Sequence, residues 1–383
     1  MRVLNTCFIV LFMAMLLIPL IFVDLEADRV SVQENRMFAE RPRIADIKNH
    51  PGKFKKEFDA WFKDSTGFRE QLIKVHGILD NNRWINGVRY TDGQYTYLVG
   101  EQGHHYFAHE NGRLIQIFQG KKYFSDEKLI QLAGKIKETK TYLDSRGIPF
   151  IVMVCTDKVS IYPEYYPKSI KRGSEPIQID RITRYLQENT SADVFNIRQA
   201  LLAEKNNYML YSVIDVRWAS DYYAHYNQLG AFFAYRELMR HINVYFPDIK
   251  PFEIDDVDIT YDKKEQPSVI LRETAYKKRD PSFFDDVNLI RPFSWENSAF
   301  ENVEQDLPVI LFLSDSYSHE MYFGKYIAQH FGTTIQIHYY NIANFNEYLE
   351  KYNPDIVVFE TVEYNIELFA NSVLQIPELL QNN

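Results

Sequence analysis

A serine, a histidine and a group of acids stand where the surrounding pattern can aim them at one another. Ser316 lies in VILFLSDSYSHEMYFGKYIAQHF, an apolar run that closes on Ser-Asp-Ser before an amphipathic stretch. That order reads as a buried strand, a tight turn and a helix. It sets Ser316 at the carboxyl end of a strand, beside backbone N–H groups suited to an oxyanion. Taken alone, the segment is read more simply as a serine capping its helix. His225 precedes NQLGAFFAYRELMRHI, a helix with Asn227 as its cap. A helix N-terminus disfavours the imidazolium, so His225 is expected to be neutral near neutral pH and able to take a hydroxyl proton; the plainer alternative is a histidine packed at a helix start. Glu360 and Glu363 end the apolar run of PDIVVFETVE and fall at the same sheet edge as Ser316, unless they are polar only because the sheet ends there. A serine hydroxyl is a poor nucleophile until a neutral imidazole removes its proton, and an ester intermediate then divides one acyl transfer into two easier steps.

Such groups meet only if a sheet collects them, and the flanking pattern supplies one. SDEKLIQLAGKIKETKTYLDSRG reads as a helix, its first turn bracketed by Ser125 and Lys128 and its stop at Gly147. The strand IPFIVMVC, the helix IDRITRYLQEN, the strand ADVFNI and the helix RQALLAEK follow. After Gln305 the alternation resumes with LPVILFL, a helix from about Ser318 to Phe331, TTIQIHYY, the helix NFNEYLEKY and DIVVFE. Repeated alternation of this kind predicts an α/β fold with a mostly parallel sheet. The stretch 252–305 breaks the rhythm and reads as a β-rich insertion. Before Ser125, Phe54, Phe58, Trp61, Phe62, Phe68 and Leu72 recur at helical spacings interrupted near Ser65 to Gly67, giving two short amphipathic helices. GVRYTDGQYTYLVGEQGHHYFAHENG reads as a hairpin or meander. His104, His105 and His109 within it read as surface strand histidines, because no carboxylate or further histidine is placed to complete a metal site.

Composition excludes some functions and adds a location. The 383 residues carry 52 acidic against 43 basic side chains, a net charge of -9, which argues against a nucleic-acid partner; the cluster YKKRD is a solvated loop. The 27 Tyr and 27 Phe mostly pack a core, although rings on a surface also suit sugar faces. Of two cysteines, Cys155 lies in an apolar strand and reads as a small hydrophobe. Cys7 lies in LNTCFIVLFMAMLLIPLIFV, Leu4 to Val23, twenty residues without a charge and long enough to span a bilayer. With Arg2 before it and Asp24, Glu26 and Asp28 after, an uncleaved anchor with the bulk of the chain outside the cytoplasmic membrane is expected. The organisation is then an anchor at 1–25, a connector with short helices and hairpin packed on the main domain at 26–120, and the main domain at 121–383.

Several blocks occur in a telling order: Asp64 to Arg69 as a D-x-F-x-x-R-like helix region, TDKVSIYPEYYP (Thr156 to Pro167), HYNQLGA (His225 to Ala231), SDSY (Ser314 to Tyr317) and PDIVVFETVE (Pro354 to Glu363). This series, from about Phe54 to Phe369, resembles the AlgX/AlgJ-type alginate O-acetyltransferase family, whose domain is similar to a circularly permuted SGNH hydrolase. The resemblance implies a three-layer SGNH-like fold, Ser316 as the nucleophile that holds an acetyl group, and His225 as its general base. It implies no cofactor and no metal, a polysaccharide acceptor, and a membrane-bound O-acyltransferase that supplies the acetyl group. The chain departs from the family pattern at Thr156, Ser314 and Tyr226, which stand where Pro, Gly and Trp are usual. The family acid two positions before the histidine falls on Tyr223. Asp221, four before His225 and able to share a helical face with it, is the first candidate to orient the imidazole. Asp215, in the near-match DVRW, is the second, and a dyad without an acid the third. The first oxyanion donor is expected to be the backbone N–H of Ser316 or Tyr317. Lys158, Glu360 and Tyr364 stand as residues of the site edge or of the framework. Two further activities fit the same residues, a carbohydrate acetyl esterase and a non-catalytic glycan-binding or assembly subunit.

Overall fold

In the computed structural model the chain divides into two compact units, residues 1–85 and 86–383. The structure describes residues 39–44, 46–49 and 51–65 of the first unit, with short pieces at 12–14, 17, 23, 30–31 and 36–37. In the second it describes 89–92, 95–110, 113–173, 177–213, 225–262, 266–287, 289, 297–304, 306–318 and 324–377. The apolar run 4–23 lies outside the described residues except at 12–14, 17 and 23; among the described residues no helix is long and apolar enough to cross a membrane. The first unit holds α1 (Pro51–Ser65), opened by a proline whose missing N–H costs nothing at a helix start. Phe58 stacks between Phe54 and Phe62, at 6.0 and 5.9 Å between centroids, and the Asp64 carboxylate accepts from Ala39 N. The second expected helix, with Phe68 and Leu72, lies outside the described residues, as does Arg69.

The second unit begins with a meander, β1 (Arg89–Asp92), β2 (Tyr95–Val99) and β3 (His105–Glu110), followed by the short α2 (Arg113–Phe118). The α/β alternation then runs through α3 (Asp126–Ser145), β4 (Phe150–Cys155), α4 (Lys158–Ile161), α5 (Gln178–Asn189), β5 (Asp193–Asn196), α6 (Arg198–Glu204) and α7 (Gln228–Tyr245). The expected β-rich stretch contains β6 (Val257–Tyr261), β7 (Pro267–Leu271), β8 (Tyr276–Lys278) and β9 (Ser298–Asn302). Then come β10 (Val309–Ser314), β11 (Thr333–His338), α8 (Phe345–Tyr352), β12 (Ile356–Val362) and α9 (Ile366–Val373). The main sheet has the order β8-β9-β11-β10-β12-β4-β5, parallel from β11 to β5, with β9 antiparallel to β11 and β8 antiparallel to β9. The insertion is thus divided, since β6 and β7 pair only with each other while β8 and β9 extend the sheet.

Alternation along each parallel strand builds the layers, because successive side chains point to opposite faces. Ile151 and Met153, Ile310 and Phe312, Ile356 and Val358 pack one core with Leu229, Phe232 and Tyr235 of α7. Phe150 and Val152, Leu311 and Leu313, Val357 and Phe359 pack the other with Leu132 and Ile136 of α3, Leu349 of α8 and Phe369 of α9. Both faces are covered, which is why the strands read as continuous apolar runs. Ser125 caps α3 by accepting from Lys128 N at 3.2 Å, and Gly147, at φ +73°, takes the left-handed conformation just past its end.

The helix expected over 318–331 differs. Its described part is a 3-10 turn at Ser316–Ser318 and a three-residue helix at Lys325–Ile327. The Ser318 carbonyl accepts from the Gln336 side-chain amide at 2.6 Å, and a Cβ on Gly324 would lie 2.6 Å from that same side chain. Residues 319–323 between these two pieces lie outside the described residues.

The start of α7 is fixed more tightly. Asn227 Oδ1 accepts from Leu229 N and Gly230 N, and its amide donates to Met209 O. Gly230 lets the strand-like residues 210–211 lie against this first turn, since a Cβ there would stand 2.4 Å from Leu210 O and 2.6 Å from Tyr226 Cβ. Gly230→Ala is therefore expected to lower stability by about 2–4 kcal/mol in urea denaturation, against a helix-propensity gain of under about 1 kcal/mol.

Candidate active site

The parallel register brings the carboxyl ends of the strands level, with Ser314 opposite His338 and Val362 opposite Cys155, so the residues that follow gather on one edge. Asp315 organises that edge. Its Oδ1 accepts from Tyr317 N and its Oδ2 from Val362 N, each at 2.9 Å, so one carboxylate closes the serine turn and ties it to the neighbouring strand. Burial raises the Asp315 pKa and these N–H bonds oppose the rise. Glu360, fully buried, accepts from Asp315 N at 3.2 Å; its pKa is pushed well up, first by burial and then by the charge of Asp315.

On this turn Ser316 is half-buried, and His225 Nε2 lies 2.8 Å from its Oγ. The next residue on each side repeats the contact, Tyr226 donating its hydroxyl to Tyr317 O at 2.5 Å. Two consecutive rungs, 225 to 316 and 226 to 317, thus lock the histidine against the serine turn. The imidazole packs on the Tyr317 ring at 4.4 Å between centroids, tilted by 36°, which limits its rotation. For Nε2 to accept the serine proton, Nδ1 must carry the ring's own proton. Asp221 and Asp215, the acids expected to face Nδ1, lie outside the described residues, as does Tyr223.

Other expected residues are redistributed. The Tyr317 N–H is spent on Asp315, which removes it from the oxyanion donors and leaves the Ser316 N–H as the backbone candidate. Ser316 stands at the start of a 3-10 turn, Ser316–Ser318. Glu363 reaches the carboxyl edge but accepts from Thr156 Oγ1 at 2.7 Å and Asp157 N at 2.9 Å; among the described residues neither it nor Glu360 is hydrogen-bonded to His225. Cys155 is wholly buried, and burial holds its thiol far from ionisation. His104 and His105 are buried, contrary to their reading as surface histidines, because the meander folds them inward. The His104 ring stacks on Tyr165 at 4.0 Å, and burial first, then the charge of Lys158, lowers its pKa to about 3. His109 as a side chain lies outside the described residues.

Sequence reasoning missed two residues, Asp315 and Tyr226. Asp315 stood in the SDS block, passed over because only the serine has a nucleophile's chemistry. Tyr226 was noted only as a replacement for Trp, yet its hydroxyl makes the second rung.

No family model matches the chain, and no curated protein matches it. Solved structures do. A DHHW family protein from Eubacterium siraeum DSM 15702 is 13% identical and superposes with a TM-score of 0.51, covering 76% of this chain and 99% of that one. PatB1 from Bacillus cereus is 14% identical, with a TM-score of 0.48 over 73% of this chain and 97% of that one. The O-acetyltransferase domain of Pseudomonas putida AlgJ is 14% identical, with a TM-score of 0.41 over 72% and 98%. The first likeness shows a shared fold over about three quarters of the chain: a mixed α/β unit with a central, mostly parallel sheet.

Asp315→Asn replaces an acceptor oxygen by an NH2 group facing a backbone N–H. It is expected to cost about 1–3 kcal/mol in denaturant unfolding and to slow labelling of Ser316 by a fluorophosphonate probe, read by intact-protein mass.

Proposed function

We propose that this chain is an extracytoplasmic O-acetyltransferase with an SGNH-like domain, moving an acetyl group through a Ser316 ester onto a hydroxyl of an exported or cell-surface polysaccharide. The observation that carries the reading is the 2.8 Å contact between His225 Nε2 and Ser316 Oγ at the carboxyl edge of the sheet. It is the hydrogen bond that a general base needs to its nucleophile, and it is already made in the free protein. In the first step His225 Nε2 takes the serine proton as Oγ bonds to the acetyl carbonyl carbon. The tetrahedral oxyanion rests on the Ser316 N–H, and the donor's leaving group departs with the proton from His225. In the second step a sugar hydroxyl gives its proton to His225 as its oxygen attacks the ester carbon. Collapse returns that proton to Ser316 Oγ and releases the acetylated sugar. Asp221 is the acid we assign to Nδ1 of His225, with Asp215 as the other choice.

The order of the sequence blocks supports acetyl transfer rather than another acyl chemistry, and the apolar run Leu4–Val23 supports an anchor in the cytoplasmic membrane. In this reading a membrane-bound O-acyltransferase delivers the acetyl group. An esterase would use the same acyl-serine with water as acceptor, so the acceptor decides between them. A non-catalytic subunit would have no need of a serine and histidine held in reacting geometry.

Incubation with a chromogenic acetyl ester is expected to leave one acetyl group on Ser316, seen by peptide mass spectrometry, and His225→Ala is expected to slow its formation by about a thousandfold or more. In cells, Ser316→Ala is expected to abolish acetylation of the cognate glycan. Unchanged glycan acetylation in that strain sinks the proposal, and acetate release that added oligosaccharide never diverts assigns the esterase instead.

A further inference from the structure

Lys158 is a buried amine with no carboxylate partner among the described residues. It follows the cap Asp157 at the carboxyl end of β4 and is only 3% exposed. Its ammonium donates to two backbone carbonyls, His105 O at 2.8 Å and Ser212 O at 2.6 Å, and stands 4.8 Å from the centroid of the Tyr106 ring. Among the described residues no carboxylate lies within ion-pair distance, since Asp157 is turned to Ser160 N and Glu363 to Thr156 and Asp157 N. An unpaired buried ammonium costs several kcal/mol relative to an apolar side chain of the same length, so packing alone does not account for it.

What it grips leads to the histidine. Residues 210–213 form a short bed held from three sides. Lys158 takes Ser212 O, His105 N donates to Val213 O at 2.9 Å, and Tyr211 donates its hydroxyl to Thr156 O at 2.7 Å. On that bed lie the residues after His225, through the Tyr211–Tyr226 bridge and the bond from Asn227 N to Leu210 O at 2.9 Å. The chain of contact runs from Lys158 to Ser212, from Tyr211 to Tyr226, and so to His225 beside Ser316.

We propose that Lys158 is a positioning residue, which by clamping Ser212 holds His225 in line with Ser316; the inference rests on the acyl-serine reading of that pair. The groups that face it are His104, His105 and Tyr106 from the meander, Asp157 beside it, Tyr211 across the bed and Tyr364 in the cleft they share. Burial lowers the Lys158 pKa from 10.5 to about 7. Below that pH both bonds are charge-assisted; above it the neutral amine makes weaker ones, and the clamp loosens.

The test follows the rate at which a chromogenic acetyl ester acylates Ser316 between acid and alkaline pH, in wild type, Lys158→Met and Lys158→Gln. The wild-type rate is expected to fall off on the alkaline side of about pH 7. Lys158→Met is expected to acylate about tenfold to a hundredfold more slowly, with little change in the ester concentration that half-saturates the rate. Lys158→Gln, which keeps donors without the charge, is expected to recover most of the rate and to lack the alkaline fall. Acylation by Lys158→Met at the wild-type rate overturns the inference, as does the same alkaline fall in all three proteins. Where the methionine variant does not fold, the glutamine profile decides by the same criterion. A wild-type Ser316 that is never acylated defeats the acyltransferase reading itself. The positioning role is then read from the His225 imidazole NMR signals: displaced signals in Lys158→Gln on the acid side of pH 7 support it, and unmoved signals overturn it.

Discussion

The arrangement of this site depends on one buried carboxylate. Asp315 sits in the turn after β10 and accepts backbone N–H groups from its own turn and from β12. Each of those donors would cost about 1–3 kcal/mol if left unpaired in the interior, so the turn has one low-energy shape while the carboxylate stays in place. Ser316 inherits its direction from that shape. Glu360, one strand away, accepts from Asp315 N, and burial followed by the charge of Asp315 pushes its pKa well up, which favours its neutral form beside the Asp315 carboxylate. A buried acid pair that looks expensive in isolation thus fixes the angle from which a nucleophile leaves the sheet.

The histidine half is held by different means. Where the serine turn is fixed by a charge, His225 is fixed by tyrosines and close backbone approach. Tyr226 reaches Tyr317 O, Tyr211 reaches Thr156 O, and Gly230 lets the bed of residues 210–211 press against α7. The high tyrosine content has a local purpose here. Each buried ring supplies apolar contact to the core on the α7 side, and each hydroxyl satisfies a carbonyl at the edge where the sheet's own hydrogen bonding ends. Phenylalanine would fill the same space and leave the carbonyls unpaired.

Much of this was legible in the sequence because it follows from periodicity. The α/β alternation, the strands at IPFIVMVC and LPVILFL, the Asn227 cap and the Ser125 cap all appear where the pattern sets them. Parallel strand order set Ser316, Glu360 and Glu363 at one edge, and the pairing of Ser316 with His225 was legible from the resemblance carried by the HYNQLGA and SDSY blocks. What escaped was set by side chains distant in sequence. Gln336 of β11 donates to the Ser318 carbonyl at the start of the expected helix, a contact that no local pattern shows. His104 and His105 alternate like a surface strand, yet the meander turns them inward against Tyr165 and the 210–213 bed. Lys158 was legible only as a residue of the site edge or framework, since its partners are carbonyls about 50 residues away on either side.

The same accounting bears on which acid serves His225. Nε2 is engaged by Ser316, so an orienting carboxylate has only Nδ1 to address. The acids of the described sheet edge are committed elsewhere: Asp315 to Tyr317 N and Val362 N, Glu360 to Asp315 N, Glu363 to Thr156 and Asp157 N, and Asp157 to Ser160 N. Moving any one of them to the imidazole would strand a buried N–H and undo part of the frame that aims the serine. Among the described residues each of these carboxylates is bonded elsewhere, and Asp215 and Asp221, which lie in the sequence between the clamped bed and His225, fall outside the described residues. The fixed edge requires only that one carboxylate reach Nδ1, and it sets no sequence position from which it must come.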